Sequence, residues 1–90
     1  MRVTLICRDK PGALQTRMDN RSAHLAHIAE SGVVEMAGPF LDEAGQMTGS
    51  LIVLNVDDLA AAKAWAAADP YSKAGLFDSV AISEWKKVIG

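Results

Sequence analysis

The apolar and polar residues in the first third of the chain predict a strand followed by a long helix. Val3 to Cys7 is rich in β-branched and large apolar residues, and the proline–glycine pair that soon follows favours a turn. From Ala13 to about Ser31 apolar residues recur at helical spacing, and Gly32 stands where that helix is expected to end.

The rest of the pattern predicts three more strands and a second helix. Pro39 interrupts an extended run, and because proline cannot donate to a sheet ladder, we expect an edge strand, a bulge or a strand end there. Asp57 or Asp58 is expected to cap the second helix, and Pro70 to end it. The predicted segments are the strand Val33–Leu41, the hairpin loop Asp42–Gln46, the strand Thr48–Val56, the helix Leu59–Ala68, a possible short helical turn in Pro70–Gly75 and the strand Phe77–Val88.

The element order β-α-β-β-α-β predicts a ferredoxin-like α+β fold, with residues 1–90 forming one domain. RNA-recognition domains share this order, but they stack bases on aromatic side chains of a central strand. The corresponding segment here, Gly49 to Val56, contains no aromatic residue. RNA recognition is therefore not expected.

The third strand makes a prediction about assembly. Leu51 to Leu54 is continuously apolar rather than alternating, as is typical of a strand buried on both faces. Because the helices of this fold cover only one face of the sheet, a second copy packed on the open face is the expected cover. The alternative is a small exposed apolar patch, which monomers tolerate. We expect a homodimer through the open face of the sheet.

Composition narrows the class of protein. Half of the 90 residues are apolar and 22% are charged, which excludes a disordered chain, and the net charge of −2 fits neither a nucleic-acid nor a polybasic membrane surface. No apolar stretch is long enough to span a bilayer, and the N-terminus lacks the apolar region of a signal peptide. The single Cys7 cannot form an internal disulfide, so a reducing, cytoplasmic location is expected.

Two histidines in the first helix are the first candidates for chemistry. If the apolar positions of that helix face inward, His24 falls at the flank of the apolar stripe, together with Arg17 and Arg21 at neighbouring turns. His27 lies further round, toward solvent. The stripe taken as the inward face consists of Leu14, Met18, Leu25 and Ile28.

Asp69 is a candidate partner for His24. Its charge is unfavourable at the C-terminal end of a helix, and a carboxylate tolerated there often has a cationic or hydrogen-bonding partner. If the two side chains meet, Asp69 would fix the imidazole tautomer and favour its protonated form, and His24 would act as general base and then general acid. The alternatives are a surface histidine without a task and an aspartate that merely precedes a proline. Tyr71 would line the mouth of a pocket or pack at the helix end.

The sequence lacks the motifs of several other common kinds of active site. The sequence contains no Gly-rich phosphate loop, no cysteine pair and no Gly-x-Ser-x-Gly elbow. A metal site on His24 and His27 would need a third ligand that the sequence does not place well. No cofactor is expected.

Three blocks of the sequence resemble the YCII-related (YciI-like) family. They are Arg21-Ser22-Ala23-His24-Leu25-Ala26-His27, then Ala37-Gly38-Pro39-Phe40, then Ala64-Trp65-Ala66-Ala67-Ala68-Asp69-Pro70-Tyr71, and the closing segment Phe77 to Val88 continues the match. The similarity covers nearly the whole chain. Ser22 stands where family members usually have proline, a change that leaves Arg21 and His24 intact.

The resemblance implies a ferredoxin-like fold that forms dimeric α+β barrels, with His24 and Asp69 as the candidate active-site dyad. One family member is a dehydrochlorinase that acts on a chlorinated hydroxyquinol without a cofactor. The resemblance thus favours a small cofactor-free acid–base enzyme, of lyase or hydrolase type, with His24 and Asp69 as catalytic residues. Arg21, one turn before His24, and Tyr71, just after Asp69, are the candidate substrate-binding residues by their positions in the sequence. The alternative is a dimeric module that binds or senses a small metabolite without transforming it.

Overall fold

Four strands and three helices make up the chain in the predicted order. The computed structural model describes residues 1–90. The elements are β1 (Arg2–Asp9), α1 (Leu14–Ser31), β2 (Val34–Leu41), β3 (Met47–Asn55), α2 (Leu59–Ala68), α3 (Pro70–Lys73) and β4 (Phe77–Trp85). The predicted final strand is therefore too long, since β4 ends at Trp85 rather than Val88.

The four strands form one antiparallel sheet in the order β2-β3-β1-β4. This order and the βαββαβ chain path confirm the ferredoxin-like α+β fold. β2 is an edge strand, so it has a neighbouring strand on one side only. It therefore accommodates Pro39, whose nitrogen has no hydrogen to donate to a ladder.

Local signals set the element ends. Gly32 ends α1 in the left-handed conformation, with φ of 69°, which glycine adopts without steric cost. Of the two candidate caps for α2, Asp58 is the one used, because its side chain accepts the Ala61 N–H at 2.8 Å. Asp42 holds the β2–β3 turn by accepting the N–H groups of Ala44 and Gln46, both at 2.9 Å.

The core lies between the helices and one face of the sheet. Each of the two central strands turns alternate residues to this face, and β1 and β3 pair so that these residues stand opposite each other. α2 closes the core with small alanines and one large anchor, Trp65. The buried cluster consists of Val3, Leu5, Cys7, Ile52, Leu54, Ala62, Trp65 and Ala66.

The inward face of α1 differs from the prediction. Met18 and Leu25 are 51% and 44% exposed, whereas the residues of this helix that are buried are Arg17 and His24. Of the predicted stripe, Leu14 and Ile28 are half-buried and only Met18 and Leu25 turn outward, because the most buried face of the helix carries polar side chains whose partners lie on other elements. None of the three helices combines the length and the apolar character needed to cross a bilayer.

The opposite face of the sheet is open and carries both apolar and charged side chains. Ile6, Met36, Leu51 and Trp85 remain exposed there, and the Arg8 guanidinium lies 4.2 Å from the centre of the Phe40 ring. The continuous burial predicted for the third strand holds in part. Ile52, Val53 and Leu54 are buried within one chain, but Leu51 is 37% exposed.

Gly49 is required by the close approach of β3 to β1. A Cβ atom at this position would collide with the backbone carbonyl oxygen of Cys7, which cannot move without disturbing the ladder. We expect Gly49→Ala to lower the free energy of unfolding by about 1–3 kcal/mol, the usual cost of overpacking. Urea denaturation of the purified variant measures this difference.

Gly38→Ala is the matched control. Gly38 is also a strand glycine, but a Cβ there would meet no atom within 4 Å. Its unfolding midpoint should stay at or slightly above that of the unsubstituted protein. Equal stability of the two variants would contradict the steric argument for Gly49.

Candidate active site

A cavity of about 110 Å³ opens between α1, the β2–β3 hairpin and α3. Its polar side chains come from three separate parts of the chain. Leu25, Ile28 and Ile52 are among the apolar side chains that form the rest of the wall. The polar lining residues are Arg17, Arg21, His24, Ser50 and Tyr71.

His24 and Asp69 are in direct contact at this cavity. The His24 Nδ1 lies 2.8 Å from the Asp69 Oδ1, and both side chains are almost completely buried. Because the carboxylate is an acceptor, the Nδ1 atom carries the hydrogen of this bond. The contact joins the middle of α1 to the junction of α2 and α3, positions 45 residues apart.

The junction of α2 and α3 fixes Asp69. This residue ends α2 in an extended conformation and at the same time caps α3, where its Oδ1 accepts the Tyr71 N–H at 3.0 Å. Pro70 occupies the first turn of α3, where its missing N–H costs nothing. One carboxylate oxygen therefore holds both the backbone of α3 and the imidazole of His24.

The Tyr71 ring stacks on the His24 imidazole, with centroids 3.9 Å apart and planes inclined by 14°. The Arg17 guanidinium lies 4.6 Å from the centre of the same tyrosine ring, and Phe77 meets it edge-on at 5.9 Å. Burial raises the pKa of Tyr71, an effect that the charge of Arg17 only partly offsets. Tyr71 therefore both packs at the helix end and lines the cavity, so the two alternatives left open by the sequence coexist.

Arg17 forms a buried ion pair that sequence reasoning did not predict. Its Nε and Nη2 donate to the two oxygens of Asp9 at 2.7 and 2.9 Å, and Nη2 also donates to Ser50 Oγ at 2.9 Å. Burial lowers the pKa of the guanidinium, but the hydrogen bonds and charge of Asp9 outweigh it and leave that pKa raised. Arg17 thus stays charged although only 2% of it is exposed.

Arg21 is the cation of the cavity that has no partner. Its side chain lines the cavity one turn before His24, yet it forms no ion pair with any carboxylate of the chain. Since the charge of Arg17 is balanced by Asp9, Arg21 supplies the uncompensated positive charge at the mouth. This arrangement favours an anionic group on a ligand.

His27 has a structural contact rather than the predicted place in solvent. It is half-buried, its Nε2 donates to the Trp65 carbonyl oxygen at 3.1 Å, and its ring lies 4.5 Å from the Trp65 ring. The tryptophan in turn donates to Ser31 Oγ at 3.0 Å. These contacts tie α1 to the last turn of α2.

No three His, Cys, Asp or Glu side chains lie close enough together to hold a metal ion.

Cys7 lies in the core beside the site. It pairs with Ser50 across the β1–β3 ladder and is 1% exposed. Burial above all, and then the nearby Asp69 carboxylate, raises the pKa of its thiol to about 12. The thiol is therefore protonated at neutral pH and is no nucleophile there.

The sequence does contain features that indicate the buried roles of Ser50 and Arg17. Ser50 alternates with Ile52 and Leu54, so a hydroxyl stands on the buried face of β3 next to two fully buried apolar residues. Arg17 and His24 are seven residues, or two helical turns, apart and so share one face. A polar pair at that spacing opposite a buried serine indicates a polar network beneath the helix.

The fold and the cavity together define a ferredoxin-like α+β domain with a histidine–carboxylate pair at a small-molecule-sized cleft. A family model for the YCII-related domain matches residues 1–86. The chain belongs to the YCII-related family, as its three sequence blocks indicate.

Relatives align with the chain over almost its whole length. Protein YciI of Escherichia coli is 36% identical over 98% of this chain and 99% of its own, and an uncharacterized protein of Haemophilus influenzae matches with the same identity and coverage. Among solved structures, 5-chloro-2-hydroxyhydroquinone dehydrochlorinase (TftG) of Burkholderia phenoliruptrix, in complex with 2,5-dihydroxybenzoquinone, superposes with a TM-score of 0.87 at 32% identity. The alignment covers 96% of this chain and 94% of that one.

A more distant structure shares the fold alone. An antibiotic biosynthesis monooxygenase superposes with a TM-score of 0.61 at 12% identity, covering 98% of both chains. The ferredoxin-like arrangement is therefore one that small-molecule enzymes use, while the chemistry differs from one protein to the next.

Proposed function

We propose that this protein is a cofactor-free enzyme that uses His24 as general base and general acid, with Asp69 as its orienting partner. The observation that carries the proposal is the 2.8 Å contact between His24 Nδ1 and Asp69 Oδ1 at the wall of a cavity. A buried histidine–carboxylate pair at a cleft is typical of proton-transfer sites. The proposed substrate is a small ring compound that carries an ionisable oxygen.

The geometry supports separate tasks for the two imidazole nitrogens. Nδ1 is occupied by the carboxylate, so Nε2 is the atom free to take a proton from a ligand and to return it. Asp69 holds one tautomer and offsets the positive charge that forms on the ring when Nε2 is protonated. Tyr71 stacks on the imidazole and limits its rotation.

The size and charge of the cavity support a small aromatic substrate. A closed cavity of about 150 Å³ holds benzene. The cavity here is smaller, at about 110 Å³, but it is open to solvent, so part of a bound ring could extend beyond its mouth. Apolar side chains such as Ile28 and Ile52 would contact the ring, and Arg21 would attract a phenolate oxygen. The relative TftG, which was solved with 2,5-dihydroxybenzoquinone, supports this class.

An elimination of HCl is the reaction that we propose to test first. In the substrate the chlorine is bonded to a ring carbon, so the base first removes a hydroxyl proton and a proton is added to the carbon that bears chlorine. Removal of a second hydroxyl proton then forms the quinone C=O bond, and chloride leaves with the electron pair of the C–Cl bond. The products are the dehydrochlorinated ring and HCl, so no electron acceptor or donor is needed. His24 Nε2 is the proposed base, and it later releases its proton to solvent.

Incubation with 5-chloro-2-hydroxyhydroquinone tests the proposal. Chloride release, followed with an ion-selective electrode, is expected for the unsubstituted protein and is expected to fall by about 10²–10⁴-fold in His24→Ala. His27→Ala is the matched control, because this second histidine of α1 has its ring nitrogen on the Trp65 carbonyl and does not line the cavity.

The possible outcomes test the proposed substrate and the proposed role of the dyad separately. Chloride release that is equally fast in His24→Ala would contradict the role of the dyad. No release by the unsubstituted protein would exclude this substrate. If mass spectrometry then shows 2,5-dihydroxybenzoquinone bound and unchanged, the protein belongs to the alternative class of metabolite-binding modules.

We also propose that two copies pair through the open face of the sheet. The support is the set of exposed apolar side chains on that face, from Ile6 of β1 to Met36 of β2, Leu51 of β3 and Trp85 of β4. A charge at the centre of this face should prevent pairing. We expect a dimer in analytical ultracentrifugation at micromolar concentration and a monomer for Leu51→Arg.

Met18→Arg is the matched control for the dimer. Met18 is also an exposed large apolar residue, but it lies on α1, on the other side of the molecule. This variant should sediment as the unsubstituted protein does. A monomer at micromolar concentration for the unsubstituted protein would overturn the proposed pairing.

A further inference from the structure

We infer that Ser50 is a ligand-binding residue whose hydroxyl donates a hydrogen bond into the cavity, with its direction set by Arg17. The inference rests on the proposed function only for the chemistry of the ligand. Ser50 belongs to β3, is 3% exposed, and lines the same cavity as His24.

The direction of the hydroxyl follows from the chemistry of its partner. A guanidinium group can only donate hydrogen bonds, so Ser50 Oγ must be the acceptor of the 2.9 Å bond from Arg17 Nη2. The hydrogen of the hydroxyl is then left to point elsewhere. Ser50 donates to no other protein group in the structure, and the cavity is the space that its side chain borders.

Asp9 holds the Arg17 guanidinium in the orientation in which it donates to Ser50. Its carboxylate receives two bonds from the guanidinium, at 2.7 and 2.9 Å, in the forked geometry that fixes the plane of the arginine. Both side chains are almost fully buried, so solvent does not compete. Asp9 and Arg17 are positioning residues, while Ser50 is the group that touches the ligand.

The network also strengthens the donor. A hydroxyl whose oxygen accepts a bond from a cation becomes a better donor, since bonds in series polarise one another. A donor of this kind suits an oxygen that carries or develops negative charge, such as a phenolate, an enolate or a quinone carbonyl. Proton removal from a ring substrate by His24 would place such charge on a ring oxygen.

The ligand class follows from this donor. The cavity is expected to prefer rings with an acceptor oxygen at the position that faces β3, in addition to the oxygen that Arg21 attracts at the mouth. An analogue that lacks the first oxygen would leave the buried hydroxyl without a partner and would bind more weakly.

Binding of 2,5-dihydroxybenzoquinone to Ser50→Ala, measured by isothermal titration calorimetry, tests the inference. Loss of a hydrogen bond to a charged oxygen is expected to weaken binding by about tenfold or more. Thr48→Val is the matched control, because this hydroxyl of the same strand donates to the Phe40 carbonyl and does not line the cavity. Its affinity should stay within about twofold of the unsubstituted protein. Equal affinity of Ser50→Ala and the unsubstituted protein would overturn the inference.

A neutron structure of the ligand-free deuterated protein gives a second test that needs no ligand. We expect the deuterium of Ser50 to point into the cavity and a deuterium of Arg17 Nη2 to point at Ser50 Oγ. A Ser50 deuterium directed at a backbone carbonyl would refute the inference. If the unsubstituted protein does not bind the quinone, the proposed substrate class fails, and the neutron structure alone decides the role of Ser50.

Discussion

Asp69→Asn is expected to lower turnover by about 10²–10⁴-fold while leaving the protein folded. Asparagine has nearly the same shape as aspartate and keeps an oxygen that can accept the Tyr71 N–H, so the cap of α3 survives. What it loses is the negative charge beside His24 Nδ1. Without that charge the imidazole is free to adopt the wrong tautomer, and a proton on Nε2 has no counter-ion.

Turnover of 5-chloro-2-hydroxyhydroquinone, measured from pH 5 to 9, checks this prediction together with the thermal unfolding midpoint. Because the substitution removes charge and not shape, the loss should appear in kcat rather than in the KM for the substrate. Asp19→Asn is the control, since that carboxylate lies on the exposed face of α1 and accepts only from Gln15. Unchanged kcat in Asp69→Asn would show that the charge has no part in the reaction.

Asp9→Ala is expected to lower the free energy of unfolding by about 3–5 kcal/mol, which is the usual cost of leaving one member of a buried ion pair alone. Arg17 would remain buried under α1 with its charge uncompensated and with two of its hydrogen bonds lost. This is a large fraction of the total stability of a small domain, since native proteins are stable by about 5–15 kcal/mol.

Denaturant unfolding of Asp9→Ala, with Glu35→Ala as the control, measures this cost. Glu35 also receives a close bond from an arginine, Arg2 Nε at 2.9 Å, but that pair lies at the surface and should contribute little. Replacing both Asp9 and Arg17 by leucine and methionine should restore much of the lost stability, because a buried pair can be exchanged for apolar side chains. Equal stability of the two alanine variants would mean that burial of Arg17 carries no penalty.

The sequence predicted the elements well because their signals are local. Gly32, Asp58 and Pro70 act on their own backbone neighbours, so each sets a helix boundary whatever the rest of the chain does. The position of Pro39 on an edge strand follows from a missing N–H in the same way. The end of β4 was the exception, since nothing in the segment after Trp85 marks where pairing stops.

The face that α1 buries could not be predicted in this way. Apolar periodicity assumes that the buried side of a helix is apolar, and here Arg17 and His24 occupy it. A charged or polar group can be buried only where a partner from another element meets it. The partners are Asp9 on β1, Ser50 on β3 and Asp69 after α2, which lie far apart in the sequence.

The sequence by itself determined the order of strands and helices, the family, and His24 and Asp69 as the residues to examine. It could do so because propensities, caps and the motif blocks are written in consecutive residues. Only the tertiary structure decided that His24 meets Asp69, that Tyr71 stacks on the pair, and that a buried Arg17 orients Ser50. These contacts depend on how the helices lie across the sheet, and that placement is set by the packing of the whole core.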